Sequence, residues 1–271
     1  MITHFQYHAL AIGFSGEIFR PFREVIPVQA SSALPAHGGF GSSRVDRFNF
    51  REMISFASAY SVVAGSYDEK HGAWDTLATS VVEGLDILGV VTVERIVARI
   101  ATSNPADGSE PSITPAGSCF EGLRIAGHQP QLDLVTGTFA DLATHSSVRK
   151  AYRDDKDFRE QFHAVSLLDR VGGIPERLQP YFPASEGGPK DEIPERNGVI
   201  ACSLVGGIEG VGRECACFGH AIHIKGFGVI RLAELQIAKQ SRRLSMLQVD
   251  LGSTPGAGVA GGTVEGNGSG W

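Results

Sequence analysis

The stretch Thr79–Ile100 constrains the fold most. β-branched residues crowd it, no proline interrupts it, and Leu88-Gly89 sits near its middle. Such side chains lose rotamer freedom in a helix and pack well on a pleated surface. A glycine turn between two such runs folds one back on the other, so a β-hairpin is expected from Thr79–Ile87 and Val90–Ile100. The alternation is imperfect. Val91, Val93, Arg95 and Val97 share one parity, whereas Glu94, Ile96, Ala98 and Ile100 share the other. A helix over 92–101 is the weaker reading, because β-branched content opposes it.

Similar signals recur along the chain. Val25–Ala30 reads as a short strand that Pro27 demotes to an edge or an extended connection. Ile54–Ala64 carries small or apolar residues on both faces, as a strand covered on both sides would. Cys119–Gly127 and Gln131–Val135 form a strand, turn, strand pattern. Gly198–Val205 and Cys217–Ile224 read as further strands. Phe227–Ile237 and Arg243–Leu251 form a second hairpin around Lys239-Gln240-Ser241, with one long helix over 228–247 as the alternative. Leu88–Val93 and Phe227–Leu232 are alike in kind, as a repeated hairpin or as chance.

Between Thr138 and Leu168 there is neither glycine nor proline. Leu142, His145, Val148 or Arg149, and Tyr152 follow helical spacing, and Phe158, Phe162 and Val165 resume it. One broken helix or two short ones are expected here, with Ser146 or Asp154 as candidate caps. A proline-rich connection follows from Asp169 to Asn197. The whole is a mainly β, α+β chain, with antiparallel sheets in a sandwich or barrel-like body and one or two helices packed against it. Residues 1–251 form a single domain with the helical insertion at 138–168. Residues 252–271 hold eight of the 34 glycines and one charged residue, Glu265, and read as a glycine-rich C-terminal tail. The final Trp271 is a candidate anchor of that tail in a partner's groove.

The formal net charge of −6 disfavours a nucleic-acid or acidic-membrane partner. No run approaches the roughly 18–20 apolar residues of a membrane helix, and the first residues lack the pattern of a secretory signal. Cytoplasmic placement is the expectation, with signal-less export left open. The four cysteines are too few for a disulfide framework in a chain of 271 residues.

The most site-like cluster is Cys215-Ala216-Cys217-Phe218-Gly219-His220-Ala221-Ile222-His223. Cys215, Cys217, His220 and His223 are ligand types that zinc accepts, but their compressed spacing hinders tetrahedral closure. The plain reading is two strand cysteines followed by two surface histidines. His37 lies in a glycine-rich loop upstream of Arg44, Asp46 and Arg47. Asp68, Glu69, His71 and Asp75 surround a turn. Gly206–Gly212 lacks the Lys-Ser/Thr end of a phosphate loop, and neither Gly-x-Ser-x-Gly nor His-Glu-x-x-His occurs. These features favour a non-catalytic structural or assembly protein that self-associates or binds a protein partner, with no cofactor. An enzyme with a loop-built, metal-dependent site around His37, His71 and Cys215–His223 is the alternative. A small-ligand pocket between the sheet and the 138–168 helices is a third reading.

Overall fold

The computed structural model describes residues 5–19, 23–168, 174–185, 192–252 and 257–270. The strands are β1 (Phe5–Ile18), β2 (Glu24–Ala33), β3 (Gly39–Phe50), β4 (Ile54–Asp68), β5 (Ala73–Ile87) and β6 (Val91–Pro105). Short strands follow: β7 (Ser112–Thr114), β8 (Cys119–Glu121), β9 (Arg124–Ile125) and β10 (Gln131–Leu134). The helices α1 (Thr136–Asp141), α2 (His145–Asp154) and α3 (Lys156–Val165) come next, then a 3-10 helix, Glu176–Tyr181. The chain closes with β11 (Ile200–Ser203), β12 (Val205–Glu209), β13 (Cys215–Phe218), β14 (Ala221–Ile224), β15 (Gly228–Ile237), β16 (Ser241–Leu251) and β17 (Ala257–Gly270).

Two large antiparallel sheets face each other, and β10 pairs with β12 in a separate two-stranded sheet. The first runs β13-β14-β15-β16-β17-β1-β2, with β11 also on β15; the second runs β3-β4-β5-β6, with β7, β8 and β9 sharing the far side of β6. Strands β1 and β17 lie over β4, β5 and β6. The fold is therefore α+β and predominantly β, and neither sheet closes into a barrel among the described residues. Both expected hairpins form, at β5–β6 and β15–β16. The long helix over 228–247 does not, because Ile230, Leu232, Leu235 and Ile237 are buried within a strand that pairs on both sides.

The glycine-rich tail expected at 252–271 is corrected for most of its length. Ala257–Gly270 is a central strand, hydrogen-bonded to β1 on one side and β16 on the other. Its glycines serve close packing: a Cβ on Gly266 would sit 2.8 Å from Thr102 Cγ2 on the opposite sheet. Trp271 lies outside the described residues.

The imperfect alternation in β6 has a structural cause. Val91 and Val93 face the core, and then Ile96, Ala98 and Ile100 do, so the inward parity switches at Glu94-Arg95. The same switch occurs in β1, between Ala11 and Phe14, and in β5, between Val82 and Leu85. The pairing registers align these breaks into one row per sheet. In the first sheet the row runs Ala233, Met246, Gly262, Gly13, Ala30; in the second, Arg47, Ala57, Gly84, Glu94, Gly122. Every other member has left-handed backbone: Ala233 (φ 50°), Gly262 (66°) and Ala30 (49°), then Arg47 (56°), Gly84 (63°) and Gly122 (60°). A left-handed residue within a strand breaks the period of two. Because each break sits beside the next, every strand changes face together and pairing continues across the crease.

Helices α2 and α3 bury the faces expected from the sequence: His145, Val148 and Tyr152, then Phe158, Phe162 and Val165. The caps differ. Thr144 accepts from Ser147 N in a capping box, and Asp155 accepts from Asp157 N and Phe158 N. Arg242, 1% exposed, ties α1 to the sheet by donating to the carbonyls of Phe139 (3.2 Å) and Leu142 (2.8 Å). A cation suits a helix C-terminus, although burial lowers the guanidinium pKa to about 10.

Candidate functional site

The densest polar cluster lies on the outer face of the first sheet, under the 3-10 helix. Arg231 and Glu234 are three apart in β15, so regular alternation would put them on opposite faces. The crease at Ala233 puts them on one face instead. Arg231 Nη1 donates to Glu234 Oε1 and Oε2 at 3.0 and 2.9 Å, and its Nη2 donates to Asp250 Oδ2 at 3.1 Å. Glu234 also accepts from Gln248 Nε2 at 2.6 Å and lies 2.9 Å from His220 Nε2. Tyr181 covers the cluster, with its ring 4.6 Å from the Arg231 guanidinium, and Phe182 meets His220 edge-on.

The charges reinforce one another. Burial alone would raise the Glu234 carboxyl, but the His220 hydrogen bond and the Arg231 charge outweigh it and hold the pKa at about 2. Burial, with the Asp250 charge and hydrogen bond added, pushes the Tyr181 hydroxyl to about 12. Burial would lower the Arg231 pKa, and Glu234 and Asp250 reverse this to raise it. The cluster is thus an ionised, hydrogen-bonded strap fastening the 3-10 segment to the sheet, with Arg231 Nε its one buried atom left without a hydrogen bond among the described residues.

Beside it, Arg231, Gln248 and Asp250 form part of the floor of a cavity of about 440 Å3, whose wall includes Phe19, Val25 and Val28. These three are exposed by 47%, 61% and 52%. A second cavity, of about 610 Å3, opens at the end of the sandwich among Tyr67, His71, Trp74, Pro105 and Asp107. Neither is lined by α1, α2 or α3, which is where the sequence placed a ligand pocket.

The residues singled out in the sequence separate in space. Cys215 pairs with Ile224, Cys217 with Ile222, and Ala216 with His223. Directly paired residues share a face, so both cysteines turn toward the side of buried Ile222 and Ile224, and His223 lies on the other side. His220 is 2% exposed and engaged with Glu234, so it is not a surface histidine. Burial raises the thiol pKa at Cys215 and Cys217 alike. Among the described residues no group of three or more His, Cys, Asp or Glu is placed to hold a metal ion. His37 lies in the exposed turn after β2, and His71 in the turn after β4, where its Nδ1 is 2.6 Å from Asp68 Oδ2. Gly38 sits against Gly65 and Tyr7, which brings both turns to the same end of the sandwich. Arg44 pairs with its neighbour Asp46 on exposed β3.

Sequence reasoning passed over Arg231, Glu234, Asp250, Tyr67 and Trp74, whereas Tyr181 and Phe182 were expected to pin the 169–197 connection to the body. A signal existed for the first two: a charged pair at i, i+3 inside an otherwise apolar strand marks a break in alternation.

These features define a folded, β-rich, two-sheet domain with a helical insertion. The family model described as Domain of unknown function (DUF8256) matches residues 5–238, and the chain belongs to that family. The match stops before β16 and β17, the strands that join β15 to β1. No curated protein and no solved structure matches the chain. No helix among the described residues is long and apolar enough to cross a membrane.

Proposed function

We propose that this protein is a non-catalytic assembly protein that self-associates or binds a protein partner through the outer face of its first sheet. One observation carries the reading. Phe19, Val25 and Val28, three large exposed apolar side chains, gather on one wall of the groove beside edge strand β2. Exposed apolar residues that cluster, rather than scatter, mark contact surfaces. Pro27 within β2 removes a backbone donor, so the contact is through side chains rather than by adding a strand at that position. The neighbouring Arg231 cluster supports the non-catalytic part, because its carboxylates are already occupied by donors.

Light scattering on the purified chain across a concentration series tests this. Val25→Asp and Val28→Asp alter exposed positions and should leave the monomer folded. A wild-type oligomer that both variants dissociate is the expected result. A strictly monomeric wild type, or an oligomer that both variants retain, removes self-association through this groove.

A further inference from the structure

The second cavity points to a ligand that assembly does not require. Tyr67 and Trp74 are directly paired across β4 and β5, so both rings project from the same face, 5.2 Å apart and tilted by 45°. Phe5 stacks flat on Trp74 at 4.7 Å, which fixes the indole in place. Tyr67 is 47% exposed, which leaves part of its ring open to the cavity. Gly72 (φ 61°) forms the turn beneath, with its Cβ position 3.9 Å from the Tyr67 hydroxyl. Pro105 adds an apolar surface, and the rim carries His71 and Asp107.

The lining selects among ligand chemistries. No arginine or lysine lines the cavity, and the Asp107 carboxylate repels anions, so phosphate is disfavoured. The hydrogen bond that His71 Nδ1–H donates to Asp68 holds the imidazole toward its protonated form, which weakens a site for a cation. A carboxylate and an imidazole edge do not suit a lipid chain. A neutral ring with polarised C–H bonds on its faces and hydroxyls around its edge satisfies every element. The C–H face packs on the electron-rich aromatic surfaces, hydroxyls donate to the Asp107 carboxylate, whose Oδ1 also accepts from Ser109 N, and the lining residue His71, with Nδ1 held by Asp68, has Nε2 left to offer them. The volume of about 610 Å3 lies within the span of small-molecule pockets.

We propose that this cavity is a carbohydrate-binding site, in which Tyr67 and Trp74 form the stacking platform for a pyranose and Asp107 and His71 hydrogen-bond its hydroxyls. The site is separate from the Phe19, Val25 and Val28 groove and stands whether or not the chain self-associates.

The chain has two tryptophans, so Trp271→Phe leaves Trp74 as the only indole reporter. Its fluorescence is followed while hexasaccharides of α-1,4-glucose, β-1,4-glucose and β-1,4-N-acetylglucosamine are added to about 10 mM, the range of weak binding. Tetramethylammonium chloride and inorganic phosphate are the counter-probes. The expected result is saturable binding of at least one saccharide, weakened about tenfold or more by Tyr67→Ala and by Asp107→Ala. Both variants alter exposed side chains, and an unchanged Tm confirms that they fold. The proposal is overturned if no saccharide binds, if Tyr67→Ala binds as the parent does, or if only tetramethylammonium or phosphate saturates.

Discussion

Gly261 and Gly262 stand side by side in the middle of β17, and replacing each with alanine should give opposite results. Gly262 has φ 66°, and a Cβ there would lie 3.1 Å from Ile96 Cγ2 and 3.5 Å from Ala98 Cβ and Met246 Cβ. The left-handed conformation costs a side-chain-bearing residue about 1–2 kcal/mol. Displacing Ile96 by a few tenths of an ångström in a close-packed core adds about 1 kcal/mol. The reduced freedom of the unfolded chain returns about 0.4–1 kcal/mol. Gly262→Ala is therefore expected to destabilise by about 2 kcal/mol, with a fall in Tm of several degrees. At Gly261 the nearest atoms, on Phe14, Leu85 and Ile96, are 3.6–3.8 Å away, at ordinary contact distance. Gly261→Ala should then be neutral or stabilising by about 0.5 kcal/mol. Urea unfolding of the two variants beside the parent supplies the comparison. Equal stabilities for all three would mean that the segment behaves as a tail after all, and the crease argument would fall with it.

Other outcomes follow from the buried charges. The folded-state pKa of Glu234, about 2, lies below its ordinary value of 4.5, so its contribution is present above pH 4.5 and is lost as pH falls toward 2. Glu234→Gln should flatten the acid limb of stability in that window and destabilise at pH 7 by about 3 kcal/mol, since Arg231 loses its bidentate partner; an unchanged acid limb in urea titrations would contradict this. Arg242→Ala should cost about 3 kcal/mol, because one buried and one half-buried carbonyl at the end of α1 lose their donor. Hydrogen exchange should then quicken in α1, and equal protection would refute the tie. Addition of EDTA or zinc should leave Tm unchanged, since His223 faces away from Cys215 and Cys217 and His220 is bound to Glu234; a zinc-dependent rise would reinstate the four-ligand set.

The local pattern of side chains was enough to place the β5–β6 and β15–β16 hairpins and the two helices α2 and α3, whereas α1, a third helix, was not foreseen. Their determinants lie within a few residues: χ1 stiffness at Val90, Val91 and Val93, the turn at Gly89, and the spacing of Val148, Tyr152, Phe158 and Phe162. β17 was not legible. A strand rich in glycine has no intrinsic β preference, and Ala257–Gly270 is held extended by β1 and β16, which are distant in sequence. The crease was visible only as a fault in alternation, because a break at Glu94 acquires meaning when Gly84 and Gly122 lie beside it. The candidate sites depended on the same long-range order. Cys215 and His223 are near in sequence yet turned to opposite faces, whereas Tyr181, Arg231 and Asp250 come from separate elements and meet on one. Sequence by itself determined which segments could be strand or helix, since propensity and turn chemistry act locally. Tertiary structure alone decided which faces met, because strand pairing joins residues that the chain keeps far apart.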